Sequence, residues 1–83
     1  MLIIYGSLQC PDCVQCLQDL DKAGIAYEYK DFSQDLRNLK AFLSLRDHEP
    51  VFVPVKEGGT IGIPCILKPD GTVTLDWQEF LSM

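Results

Sequence analysis

No stretch of this chain approaches the ~20 consecutive apolar residues that a bilayer-spanning helix needs. Positive charge is also scarce, with 7 Lys and Arg against 12 Asp and Glu and a formal net charge of −5. The first shortage argues against an integral membrane helix. The second makes phosphate backbones and anionic headgroups poor partners, since like charges repel; neither nucleic acid nor membrane is expected to bind. The sequence has one histidine and one tryptophan, and no internal repeat or low-complexity tract. Leu2-Ile3-Ile4-Tyr5 follows Met1 with no basic segment before it and no cleavage site after it, so it does not read as a signal peptide, and an unprocessed cytoplasmic chain is expected. At 83 residues there is room for one domain, spanning 1–83, near the lower end of what can bury a core by itself. An apolar content of 47% with 23% charged residues suits a chain that folds.

Four cysteines are present, three of them within seven residues (Cys10, Cys13, Cys16) and Cys65 alone. A structural disulfide framework staples distant loops in secreted proteins, so this spacing points instead to redox chemistry or metal binding.

Leu2 to Tyr5, ended by Gly6-Ser7, reads as a buried strand. From Pro11 the apolar positions Cys13, Cys16, Leu17, Leu20 and Ala23 recur at helical spacing, with Pro11 suited to the first turn and Gly24 to the C-terminal cap. Ile25 to Asp31 alternates as a second strand, completing a parallel strand-helix-strand unit. Asp31 or Ser33 is expected to cap a second helix with an apolar stripe of Leu36, Leu39, Phe42 and Leu43, ending near His48. The three prolines and three glycines between Pro50 and Pro64 predict an irregular surface loop. Cys65 to Lys68 and Thr72 to Leu75 flank the Pro69-Asp70-Gly71 turn as a hairpin, and Asp76 caps a short final helix carrying Trp77, Phe80 and Leu81. Trp77 and Phe80 read as core, and the lone His48 as a helix-terminating residue. Gly58-Gly59 has no following Lys-Ser/Thr and reads as a flexible turn, with no phosphate-binding role. Thr60-Ile61-Gly62 lines a binding groove on position alone.

The order strand, Cys10-Pro11-Asp12-Cys13, helix has a direct chemical meaning. Unpaired N–H groups and the positive end of the helix dipole favour a thiolate at Cys10. Asp12 opposes this, but water screens an exposed charge, which leaves a modestly activated nucleophile. Cys13, one turn on, is within bridging distance and can resolve a mixed disulfide at Cys10. Zinc knuckles share the Cys-X-X-Cys spacing, and Cys10, Cys13, Cys16 and Cys65 together offer four soft ligands for zinc or an iron–sulfur cluster. Three ligands on one helix spread over about 120°, however, which disfavours convergence on one ion. Cys16 and Cys65 read as small buried residues.

Strand–Cys10-Pro11-Asp12-Cys13–helix, with the later Ile63-Pro64 entering a hairpin, resembles the glutaredoxin branch of the thioredoxin fold across essentially the whole chain. The resemblance implies an α/β thioredoxin fold (βαβα-ββα), with a four-stranded mixed sheet flanked by helices. It implies a cis peptide before Pro64, with the backbone of Ile63 exposed to pair with a thiol substrate. It further implies a dithiol thiol–disulfide oxidoreductase in which Cys10 attacks and Cys13 resolves, with no cofactor and no metal. Pro11, Asp12, Ile63, Pro64 and Asp76 are the substrate-binding candidates, and a disulfide-bearing protein is the expected partner of a monomer. Ser7 stands where many family members have Lys, Asp12 replaces an aromatic residue, and Val73-Thr74-Leu75-Asp76-Trp77 replaces a Gly-Gly-containing glutathione site. Weak dependence on glutathione follows as the expectation, with a thioredoxin-reductase-like enzyme as an alternative reductant. The contrasting expectation is a metal-binding or adaptor module of the same fold that does not turn over.

Overall fold

The computed structural model describes residues 1–81; residues 82 and 83, the end of the single domain expected from sequence, lie outside the described residues. The chain forms a small α/β domain with a four-stranded mixed sheet and helices on both of its faces. Strands β1 (Leu2–Gly6) and β2 (Tyr27–Asp31) run parallel and are joined by helix α1 (Pro11–Lys22). Strands β3 (Cys65–Leu67) and β4 (Val73–Thr74) add antiparallel on the other side, giving the order β2-β1-β3-β4. Between the two halves lie α2 (Leu36–His48), a 3₁₀ turn at Pro50–Phe52 and the short α3 (Val53–Glu57). None of the described helices is long and apolar enough to cross a membrane.

Alternation along β1 divides the core into two layers. Leu2 and Ile4 face α1 and pack with Cys16, Leu20 and Ile66, with Tyr27, Tyr29, Trp77 and Phe80 at the margin. Ile3 and Tyr5 face the other way, toward Phe42, Phe52 and Cys65. Because helices pack on both faces of the sheet, the continuous apolar run of β1 is covered on both sides. The α1 helix ends as its sequence predicts. The N–H of Gly24 donates to the Asp21 carbonyl and that of Ile25 to the Leu20 carbonyl, which satisfies two of the last-turn acceptors. Strand β2 begins only at Tyr27, because Ile25 is spent in that cap.

Several expectations need correction. The N-cap of α2 is Asp35, whose carboxylate accepts the Arg37 N–H at 2.9 Å, and not Asp31 or Ser33. Asp31 is buried at 2% exposure and its carboxylate is engaged locally, accepting from the backbone N–H and hydroxyl of Ser33. Leu36 is 76% exposed and Leu43 also faces solvent, while Leu39, Phe42 and Leu45 form the inward stripe. A further correction concerns the Pro50–Pro64 segment, which contains two helical turns. Pro50 and Pro54 occupy first-turn positions, where a missing N–H costs nothing, and Phe52 between them is fully buried. The hairpin strands are shorter than expected, and the final helix is a 3₁₀ turn, Trp77–Phe80, with Asp76 accepting from the Gln78 N–H. The indole N–H of Trp77 donates to Asp19 at 3.0 Å and ties this turn to α1.

This phasing of α2 predicts opposite outcomes for two apolar substitutions. Leu36→Ser should leave the unfolding free energy from denaturant titration within about 0.5 kcal/mol of the parent. Phe42→Ala, which empties a site edge-on to Phe52, should cost about 3–5 kcal/mol.

Candidate active site

Strand β1 delivers the chain to the N-terminus of α1 through a tight turn. The Cys10 N–H donates to the Ser7 carbonyl at 3.0 Å and the Gln9 N–H to the Ser7 hydroxyl at 3.2 Å. Cys10 is then the N-cap of α1. Its backbone is extended, and its sulfur accepts the N–H of Cys13 at 3.4 Å. A sulfur stands where Ser, Asp or Asn usually satisfies that orphan donor. Pro11 follows in the first turn and is exposed.

Cys10 opens onto a cleft of about 540 Å³ lined by Cys10, Asp12, Thr60, Ile61, Gly62, Ile63 and Leu75. Of the substrate-binding candidates, Asp12 and Ile63 share this cleft with Cys10. The Ile63–Pro64 peptide is cis, and Pro64 is buried where β3 begins. Asp76 does not line the cleft; its exposed carboxylate caps the 3₁₀ turn, and the neighbouring Leu75 contributes instead. Thr60, Ile61 and Gly62, placed here from sequence position alone, do line the groove.

Sequence reading missed what holds that wall in place. The Arg46 guanidinium, on the last turn of α2, donates to the Ile61 carbonyl at 3.0 Å and the Thr60 carbonyl at 2.9 Å. From beneath, Gly62 (φ 90°) lies against Phe52, where a Cβ would come within 2.8 Å of the ring. Glycine is needed there both for its φ and for the close approach. Arg46 sits on the helix's polar face, and its partners are backbone atoms 14 and 15 residues away. No side-chain pattern reveals such a bond.

Behind Cys10, Cys13 is completely buried. Burial pushes its thiol up to about 12 from the ordinary 9.0, and the adjacent Cys10 and Cys16 add to the rise, while a backbone hydrogen bond from Ser7 acts against it. Its place depends on Gly6, where a Cβ would lie 2.7 Å from the Cys13 sulfur. Cys16 and Cys65 are also fully buried and likewise pushed up to about 12, mainly by desolvation.

These two cysteines do not join the first pair in a ligand set. Cys16 packs in the α1 layer and Cys65 in the α2 layer, with the sheet between them. Among the described residues, no group of three Cys, His, Asp or Glu side chains is placed to hold a metal ion. His48, whose Nδ1 lies 2.7 Å from the Ser44 carbonyl in the last turn of α2, is remote in role from the cleft.

An uncharacterized protein of Haemophilus influenzae (strain Rd) is 38% identical over 77 residues, covering 93% of this chain and 90% of that protein. The chain belongs to the same family as that protein. No family model and no solved structure matches the sequence.

Burial differences among the thiols make two measurable statements. Native protein treated with iodoacetamide near neutral pH should take up one label, at Cys10, and four after denaturation. Cys13, Cys16 and Cys65 hold their protons more tightly folded than unfolded. Their contribution to stability is therefore full below pH 9 and is lost as the pH rises from 9 toward 12, which denaturant titrations across that range should show.

Proposed function

We propose that this protein is a thiol–disulfide oxidoreductase of the thioredoxin fold, glutaredoxin-like in its Cys-Pro-Asp-Cys dithiol, which reduces disulfides in cytoplasmic proteins or small molecules. The observation that carries the reading is the pairing of a solvent-reachable Cys10 sulfur at a helix N-terminus with a buried Cys13 one turn behind it, its N–H 3.4 Å from that sulfur. Residues so spaced on a helix have Cα atoms roughly 5 Å apart, inside the disulfide range of about 4.4–6.8 Å. The strand order β2-β1-β3-β4, with one parallel and two antiparallel pairings, supports the fold assignment.

In this reading Cys10 attacks a substrate disulfide and forms a mixed disulfide. Cys13 then attacks Cys10 and releases the second substrate thiol. Substrate backbone lies along Ile63 in the cleft, flanked by the apolar Ile61 and Leu75. Among the described residues, Asp12 is the one charged residue lining the cleft, and with the net charge of −5 it favours neutral or cationic polypeptide over the anion glutathione. Glutathione or a thioredoxin-reductase-like enzyme regenerates the dithiol, with glutathione the poorer donor.

Cys10→Ser should abolish reduction of insulin disulfides. Cys13→Ser should accumulate a mixed disulfide, seen as added mass that a reductant removes. Full activity in Cys10→Ser would overturn the assignment of Cys10 as the attacking thiol, whereas a parent chain that reduces no insulin and loses no pair of thiols on mild oxidation would replace this reading with a non-catalytic binding module.

A further inference from the structure

Tyr29 has a role that strand packing does not explain. It lies on β2 beside the α1 layer, and its ring packs at the margin of the cluster that contains Cys16 and Leu20. Among the described residues, its hydroxyl oxygen is the one buried side-chain polar atom with no hydrogen-bond partner. Burying a hydroxyl without a partner is unfavourable, and phenylalanine would supply the same ring without that cost. A Cβ on Gly6 would stand 3.2 Å from this oxygen and 2.7 Å from the Cys13 sulfur. Both atoms therefore flank the same bare piece of β1 backbone, and the two distances laid end to end put them within about 6 Å of each other.

We propose that the Tyr29 hydroxyl is the hydrogen-bond donor held in reserve for the Cys13 sulfur, engaged when that sulfur ionises to resolve the mixed disulfide. The inference rests on the dithiol-exchange reading above. In the step concerned, the Cys13 thiol releases its proton to solvent and its sulfur attacks the Cys10 sulfur. The Cys10–Cys13 bond forms as the Cys10–substrate bond breaks. The bonding pair leaves on the substrate sulfur, which takes up a proton. Over the full exchange two protein thiols are oxidised and one substrate disulfide reduced, and an external reductant, two glutathione thiols or a reductase, restores the pair. Tyr29 keeps its proton throughout and donates a hydrogen bond only.

The surroundings explain why a donor is needed. Cys13 faces Cys10 and Cys16 from its own helix, both of which resist a negative charge, and the Ser7 backbone, which favours it. From β2 it faces Tyr29, whose hydroxyl also lies in the field of Asp31. Tyr29 is therefore the neutral side-chain donor beside the buried sulfur. An ionised acceptor makes a stronger bond than a thiol, so forming the bond becomes favourable as charge develops on the sulfur.

The test uses the full chain and 5,5′-dithiobis(2-nitrobenzoate). Cys10 attack releases one chromophoric thiolate, and Cys13 ring closure releases the second. In Tyr29→Phe the second release should slow by about ten- to a hundredfold, the range expected for loss of one hydrogen bond to an ion. Its pH profile should shift upward, while the first release and the melting temperature stay at or above the parent values. A second release that matches the parent in rate and pH profile would overturn the proposal and leave the exchange reading intact. So would a melting temperature well below the parent with unchanged release, which would make the hydroxyl structural. If the parent chain itself gives one thiolate and never a second, the dithiol reading and the proposal fall together.

Discussion

The contact between the Cys13 sulfur and the bare backbone of Gly6 is the constraint from which the site is built. At 2.7 Å from any Cβ that β1 might carry there, the sulfur can be seated only because the strand ends in glycine. That seat sets how closely the first turn of α1 approaches the sheet. The approach in turn brings the Cys10 sulfur to the helix end, above a cleft whose far wall comes from a segment some fifty residues later. A side chain at position 6 would displace the Cys13 sulfur from this seat and crowd the Tyr29 hydroxyl.

The two layers of the core give the four cysteines different surroundings. Cys13, Cys16 and Tyr29 lie on the α1 side of the sheet or at its end, while Cys65 shares the opposite layer with Phe42 and Phe52. Four similar side chains thus have different circumstances. One sulfur reaches solvent at a helix end, one is buried within a turn of it, and two are enclosed among apolar neighbours. Desolvation favours the protonated form of the enclosed thiols, and Cys10 is left as the cysteine that solvent reaches, without any sequence difference among the cysteines themselves.

What could be read from sequence follows the reach of each interaction. The β1 run, the start of α1 at Pro11, its end at Gly24 and the Asp76 cap are local signals and were legible. The cap of α2 was not, because Asp31, Ser33 and Asp35 all satisfy the same chemistry. Burial of Asp31 at the end of β2, a tertiary fact, decides among them. Phe52 was hidden because prolines on either side look like breakers, although in a first turn they serve as starters. In the cleft, Cys10, Asp12 and Ile63 came from the motif and its partner loop, whereas Leu75, Arg46 and the Tyr29 hydroxyl depend on contacts across the sheet or between distant segments.

Arg46 grips Thr60 and Ile61 by their carbonyl oxygens, a hold indifferent to which side chains those residues bear. The Ile61 side chain, 58% exposed at the mouth of the cleft, therefore plays no part in its own anchoring. The rim can exchange one surface character for another across evolution while its backbone path stays pinned, so what the cleft admits and how the cleft is held upright are free to evolve separately.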